Sequence, residues 1–265
     1  MSHPAPTVVV GVDGSKAAIN AARWAVDEAI SRDIALRLVY VVEPSQYSGA
    51  GIHETRVAAG RAALYDARRA VEFNEKPVKI ETEIVTGKPL AKLVEESRSA
   101  ALICVGAVGL NSAHRGVGSI SAALAAAALC PVAVIGRPAA RPRALKVARV
   151  VVQASDGAVL RHAFEEARLR RVPLLVVSVT PAGVPDDADE KRLAQAELDR
   201  RMARWVRSFP DVRVECVNVR GSVDRYLAAN DEPDQLLVTD SLACFDVCGA
   251  HNAGRSVLAV RSKNL

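Results

Sequence analysis

Short apolar runs alternate with stretches of helical spacing along the whole chain. Val8–Val12 is apolar and stops at Asp13-Gly14-Ser15, a turn and helix-capping signal. Ala18, Ala22, Ala25, Val26 and Ala29 then recur at helical intervals, so the opening segment reads as strand followed by helix. Leu36–Val42 supplies a second strand and residues 54–73 a long helix. Over 78–85, Val78, Ile80 and Ile84 alternate with Lys79, Glu81 and Glu83, the pattern of a half-exposed edge strand. Thr86-Gly87-Lys88-Pro89 interrupts the chain, and Pro89 starts a helix over 90–97. Residues 102–105 form a wholly apolar strand, 120–129 a helix and Val132–Ile135 a last strand. Five strands and four helices in strict alternation predict a parallel sheet covered on both faces.

The remaining half repeats this plan. A strand over 150–153 stops at Ser155-Asp156-Gly157, much as Val8–Val12 stops at Asp13-Gly14-Ser15. Each is followed by a helical run ending in an arginine, then by a second apolar strand that closes on a proline, Pro44 or Pro181. A charged helix over 189–207 and an alternating strand over 212–219 follow. Gly221-Ser222 parallels Gly87-Lys88, and 236–238 parallels 102–105. Internal duplication is the simplest account. The parallel stops after Val238, where Thr239-Asp240-Ser241 leads into a segment without a glycine pair. A strand over 257–260 comes too soon for a full-length helix, so the fourth helix is expected to be short or missing.

The segment 101–135 also carries the candidate chemistry. Gly106 and Gly109 follow a strand directly, and Gly118-Ser119 directly precede a helix. Free backbone N–H groups and a helix N-terminus then converge on one loop, an arrangement that favours an anion such as phosphate. An ordinary tight turn is the competing reading. Lys16 does not make GVDGSK a P-loop, because that motif needs four residues between its first glycine and the Gly-Lys pair.

Composition narrows the rest. Half of the 265 residues are apolar, enough for two domains with substantial cores. Basic residues number 35 against 30 acidic, and aromatics only 4%, without the concentrated stripe and stacking rings of a nucleic-acid binder. The richest basic run, Arg137, Arg141, Arg143, Lys146 and Arg149, is interrupted by Pro138 and Pro142 and reads as a solvated linker. The N-terminus has no charged segment leading into a long apolar core, and no window would span a bilayer. A cytoplasmic protein without membrane or nucleic-acid partners is expected. Five scattered cysteines fit reduced thiols, with Cys104 and Cys130 as small core residues.

A first strand ending GVDGS, a G-x2-G after the fourth strand, a later Gly-Ser and a final Cys-Pro-Val strand together resemble the universal stress protein family, in its tandem two-domain bacterial form. The resemblance is specific over residues 7–137 and mainly organisational over 147–262. It implies an α/β fold of two tandem doubly wound domains, each a five-stranded parallel sheet of order 3-2-1-4-5 with helices on both faces. The first domain would span 1–138 and carry the ATP-binding loop; 139–146 would be a linker. The second, 147–265, would be degenerate after its fourth strand, with the nucleotide motif lost. ATP-binding members have nine residues between the glycine pair and the Gly-Ser or Gly-Thr, whereas this chain has eight. That departure either tightens the loop harmlessly or narrows the triphosphate seat.

Residue roles follow from the same resemblance. Ligands in such sheets bind where the strand order reverses, outside the carboxyl ends of the central strands. Asp13 and the backbone at Val41 would contact the adenosine, with Val12 flanking it. Gly106, Gly109 and Gly118 would admit ribose and phosphates to the main chain, and Ser119 would donate to a phosphate oxygen, with Arg115 screening charge and magnesium as an optional companion. Each has an ordinary counterpart: Asp13 as a helix cap or Asx-turn, Ser119 as an N-cap, Arg115 as a solvated side chain.

No catalytic constellation stands out. Histidines 3, 53, 114, 162 and 251 are dispersed, and no serine sits in a nucleophile-elbow pattern. The expected function is an ATP-binding stress-response regulator, not an enzyme beyond weak ATP hydrolysis, with a homodimer and an unidentified regulatory protein as partners. One alternative is a non-nucleotide-binding tandem protein acting as a dimerisation or interaction module. In the family, domains pair through the last strand, which implies that 132–135 and 257–260 would associate. Another is a thiol or zinc sensor built on Cys244, Cys248 and His251.

Overall fold

A computed structural model describes residues 5–44, 50–73, 76–107, 119–136, 147–154, 156–180, 188–230, 234–241 and 256–261. They form two compact units, one in the described residues up to 136 and one in those from 147 onward. The linker expected over 139–146 and the shortened fourth helix expected after Val238 lie outside the described residues.

In the first unit β1 (Val8–Val12), α1 (Lys16–Ser31), β2 (Leu36–Val42), α2 (Ala50–Glu72), β3 (Ile80–Thr86), α3 (Pro89–Glu96), β4 (Leu102–Gly106), α4 (Ser119–Ala127) and β5 (Val132–Ile135) follow in chain order. The strand order is β3-β2-β1-β4-β5, and every pair is parallel. Thus β1 and β4 are neighbours at the centre, and the connections leaving them run in opposite directions across the sheet. Helix α1 lies on β1 and β4 and packs on α2, while α3 packs on α4. Burial explains the sequence pattern. Val8, Val9 and Val10 in the centre are buried on both faces, whereas β3 at the edge is only partly covered and can alternate.

Local chemistry sets the helix ends. Gly14 takes the left-handed region at φ 85°, and Ser15 caps α1 by accepting the Ala18 N–H at 3.1 Å. The inner face of α1 is built on Ala18, Ala21, Ala22, Ala25 and Ala29, all buried, so the helix axis can approach the sheet closely. Helix α2 starts four residues ahead of the predicted 54, and its residues 51–56 are exposed. Exposed turns carry no apolar stripe, so periodicity misses them. Strand β3 begins at Ile80 because its ladder opens with the Leu36–Ile80 pair, leaving Val78 and Lys79 outside.

The second unit contains β6 (Arg149–Gln153), α5 (Gly157–Arg170), β7 (Leu174–Thr180), α6 (Ala188–Ser208), β8 (Val214–Arg220), α7 (Val223–Ala229), β9 (Gln235–Asp240) and β10 (Ser256–Val260). Its order is β8-β7-β6-β9-β10, again parallel throughout, so β6 holds the place of β1. Phe164 on α5 stacks on Trp205 of α6, with centroids 5.6 Å apart, and Phe209 closes the cluster.

The two units share a helix ending that reaches beyond topology. Glu28 is fully buried and pairs with Arg32 one turn on; Glu166, also buried, pairs with Arg170 at 3.2 Å. Each arginine is followed by a non-glycine residue at positive φ, Asp33 at 51° and Arg171 at 55°. The next N–H returns to the helix: Ile34 to Ala29 O at 3.0 Å and Val172 to Ala167 O at 3.1 Å. Such a pair is costly to break from one side, because a buried charge loses its partner. Arg170 is itself nearly enclosed, whereas Arg32 is about a third exposed. Arg170→Ala is therefore expected to destabilise the second unit by roughly 3–5 kcal/mol, and Arg32→Ala to cost clearly less. Urea unfolding of the two variants measures the difference, and equal losses would contradict the burial argument.

Candidate functional site

The reversal of strand order brings two chain exits together. Strands β1 and β4 pair in register, Val10 opposite Cys104, so Val12 and Gly106 end the two central strands on the same side of the unit. Their loops part there because β2 and β5 lie on opposite flanks. This is the crevice at which doubly wound sheets take ligands.

Asp13 follows β1 directly. Its Oδ1 accepts the Ser15 N–H at 2.9 Å, closing an Asx-turn that delivers Ser15 to its capping position. Asp13 is half-buried. Val12 beside it is buried and pairs with Tyr40 of β2. Val41 is half-buried near the end of β2, in register with Val85. Two residues further, the Glu43 carbonyl accepts Arg56 Nη1 at 2.9 Å, which ties the exposed start of α2 to the chain leaving β2.

Gly106 is held from two sides. A Cβ at this position would lie 2.6 Å from Ala17 Cβ and 2.7 Å from the Ala17 carbonyl carbon, so the first turn of α1 fills the space a side chain would need. Its carbonyl accepts the Ser121 hydroxyl at 2.9 Å, which fastens α4 to the end of β4. The next residue, Ala107, donates to Ile135 O at 2.9 Å and continues the join to β5. Glycine is thus demanded by helix-on-strand packing. Ser119 is the first residue of α4; Gly109, Arg115 and Gly118 lie outside the described residues.

Two of these contacts escape a reading of the sequence alone. Arg56 sits on exposed turns without periodicity. Ser121 offers a slight signal, a hydroxyl inside an alanine-rich run, and takes the inward position while its neighbour Ile120 is 42% exposed.

The corresponding place in the second unit is built differently. Strand β9 pairs with β6 as β4 pairs with β1, and Ser241 donates to Val260 O at 2.8 Å just as Ala107 does to Ile135. Asp240 therefore occupies the position of Gly106. In the same register Ala154 stands where Val12 stands in the first unit, and its carbonyl accepts Arg201 Nη2 at 3.1 Å. Cys244, Cys248 and His251 lie outside the described residues. Among the described residues no three His, Cys, Asp or Glu side chains gather as a metal site, and no helix is long and apolar enough to cross a membrane.

The fold defines a doubly wound α/β protein whose strand order reverses between β1 and β4. A sequence model of the Universal stress protein family matches residues 5–136. Over 265 residues the chain is 55% identical to universal stress protein Rv3134c of Mycobacterium tuberculosis, covering 99% of this chain and 98% of that protein. It is 46% identical over 234 residues to Rv2028c of the same organism, covering 86% and 82%. The crystal structure of a universal stress protein from Archaeoglobus fulgidus shares the fold at TM-score 0.67 and 12% identity, over 97% of this chain and 96% of that one. The chain belongs to the universal stress protein family.

Gly106→Ala forces the first turn of α1 to move and is expected to cost about 1–3 kcal/mol, as overpacking does. A denaturation midpoint equal to wild type would mean that α1 yields freely. Of the described cysteines Cys104 is buried and Cys130 and Cys216 are half-buried; burial pushes the Cys130 thiol up to about 12, and burial first, then Asp199, raises that of Cys216. The raised Cys130 value favours the folded state fully below pH 9, the ordinary thiol value, and that contribution fades as pH climbs toward about 12. Iodoacetamide at pH 8 should leave the Cys104 and Cys130 peptides unmodified until denaturant is added, and fast labelling of either would refute the shielding.

Proposed function

We propose that this protein is an ATP-binding regulator whose single nucleotide site lies in the first of two tandem domains, 1–138 and 147–265, joined by a linker over 139–146. The observation that supports this reading most is the adjacency of β1 and β4 at the strand-order reversal, which sets the Asp13 turn beside the strand end at Gly106. The adenosine would rest at Asp13, Val12 and the backbone of Val41; a carboxylate accepts hydrogen bonds, and ribose hydroxyls donate them. The phosphates would lie toward Gly106, Gly109, Gly118 and Ser119, at the N-terminus of α4, with Arg115 screening their charge. Among the described residues, half-buried Asp13 beside the strand end at Gly106 supports this reading. Magnesium would enter as the companion of the phosphates, since the described residues offer no ready cluster of ligands for it.

No reaction is assigned. A bound nucleotide acts here by favouring one conformation or one partner-binding state over another, which it does only through different affinities for the two. The partner would be a regulatory protein or a second copy of this chain. The second domain is proposed not to bind nucleotide, because Asp240 sets a negative charge at the position where Gly106 stands in the first.

A competing reading keeps the family and drops the nucleotide. It has support of its own: the Asx-turn gives Asp13 a purely structural role, and packing against α1 gives one to Gly106. Substitution at Asp13 separates the two readings. Asn retains the acceptor for the Ser15 N–H, so Asp13→Asn should keep the wild-type melting temperature within about 2 °C while ATP affinity falls roughly tenfold or more, the scale of a lost charge-assisted bond. Asp13→Ala should lower both. Nucleotide released from freshly purified protein and identified by mass should approach one ATP or ADP per chain. A wild type that carries none and binds none when ATP is added would favour the interaction-module reading.

A further inference from the structure

We propose that Ser121 is a positioning residue for the nucleotide: its hydroxyl clasps α4 to the end of β4 and so holds the helix N-terminus where phosphates are received. The proposal rests on the ATP reading above for its ligand and on the geometry around Gly106 for its mechanism.

Three observations lead to it. The first is the unusual direction of the bond. A serine inside a helix commonly returns its hydroxyl to a carbonyl of its own preceding turn. Ser121 instead donates to Gly106, fifteen residues back and in a different element, at 2.9 Å. The second is the inversion of the polar pattern at the start of α4. Ser121 is 5% exposed while Ile120 is 42% exposed, so the polar side chain points inward and the large apolar one outward. Helix α4 is otherwise mostly alanine, the best helix former, and a serine there is unfavourable unless its hydroxyl is used. The third is what stands on the other face of Gly106. The first turn of α1 comes so close there that even a methyl group would collide with it.

The strand end is therefore gripped between two helix N-termini. At α1 the Ser15 hydroxyl takes the Ala18 N–H. On the ATP reading, α4 is the helix whose N-terminal N–H groups serve the phosphates. The Ser121 hydrogen bond ties α4 to the end of β4 near the site, and loosening it lets the donor set drift relative to Asp13 beyond the neighbouring strand. A ligand that spans both loops requires them at a fixed separation, so a mobile α4 lowers affinity even though Ser121 never touches the nucleotide.

The test uses the full chain as wild type, S121A and S121T, with ATP titrated by calorimetry and amide hydrogen exchange followed without ligand. S121A should bind ATP about fivefold more weakly, the scale of a single neutral hydrogen bond. S121T restores the hydroxyl and should return to within about twofold of wild type. Without ATP, amides of α4 should exchange faster in S121A, and those of α3 should not. Rescue by threonine is the outcome that a simple packing role would not produce. Affinity in S121A equal to wild type, or failure of S121T to improve on S121A, overturns the proposal. Should the wild type bind no ATP, the nucleotide reading falls and the clasp is judged by exchange alone: faster exchange over α4 in S121A upholds it, and unchanged exchange overturns it.

Discussion

The close approach of α1 to the carboxyl end of β4 is the constraint around which the first unit is arranged. Gly106 leaves room there for a hydrogen atom and little else. With no side chain in the way, α1 covers both central strands, and its alanine face keeps that approach along its length. The Asx-turn at Asp13 and the Ser15 cap then start the helix at the right residue. A bulkier strand end would push α1 outward, and the turn holding Asp13 would shift with it. The crevice is therefore a by-product of tight helix-on-strand packing, and its two rims cannot be adjusted independently.

A second constraint acts at the opposite end of the first helix in each unit. Buried glutamates at 28 and 166, each paired with an arginine one turn on, precede residues in the left-handed region that turn the chain back into the sheet. Buried charges and strained residues are each unfavourable alone. Together they define where the helix stops, because the arginine side chain, the positive φ and the returning N–H all demand the same chain direction. This shared ending ties the two units together more closely than their strand order does, since many doubly wound proteins have the latter.

Much of this was legible before any coordinates. Central strands announce themselves as uninterrupted valine, isoleucine and leucine because both faces are covered, and the alternation in residues 78–85 marks the edge for the opposite reason. Asp13-Gly14-Ser15 also reads correctly, because turn and cap chemistry depends on residues close in sequence. Long-range polar contacts do not. Glu28 and Glu166 look like any helix-surface charge until the packing shows them enclosed, and Ser121 reveals its use only when Gly106 is placed beside it. The exposed first turns of α2 carry no periodic signal, which is why Arg56 and its bond to Glu43 went unseen. Gly109, Arg115 and Gly118 are visible as a motif but lie outside the described residues.

Asp240 has a consequence for how the two units can diverge. In the first unit the corresponding place is filled by a neighbouring helix, so a side chain can appear there only if that helix gives way. The second unit carries a half-buried aspartate at its strand end, and Arg201 bonds the carbonyl of Ala154 just after the neighbouring strand. A unit that has accepted a side chain at this strand end is set toward a different role, free to specialise in ways its companion is not.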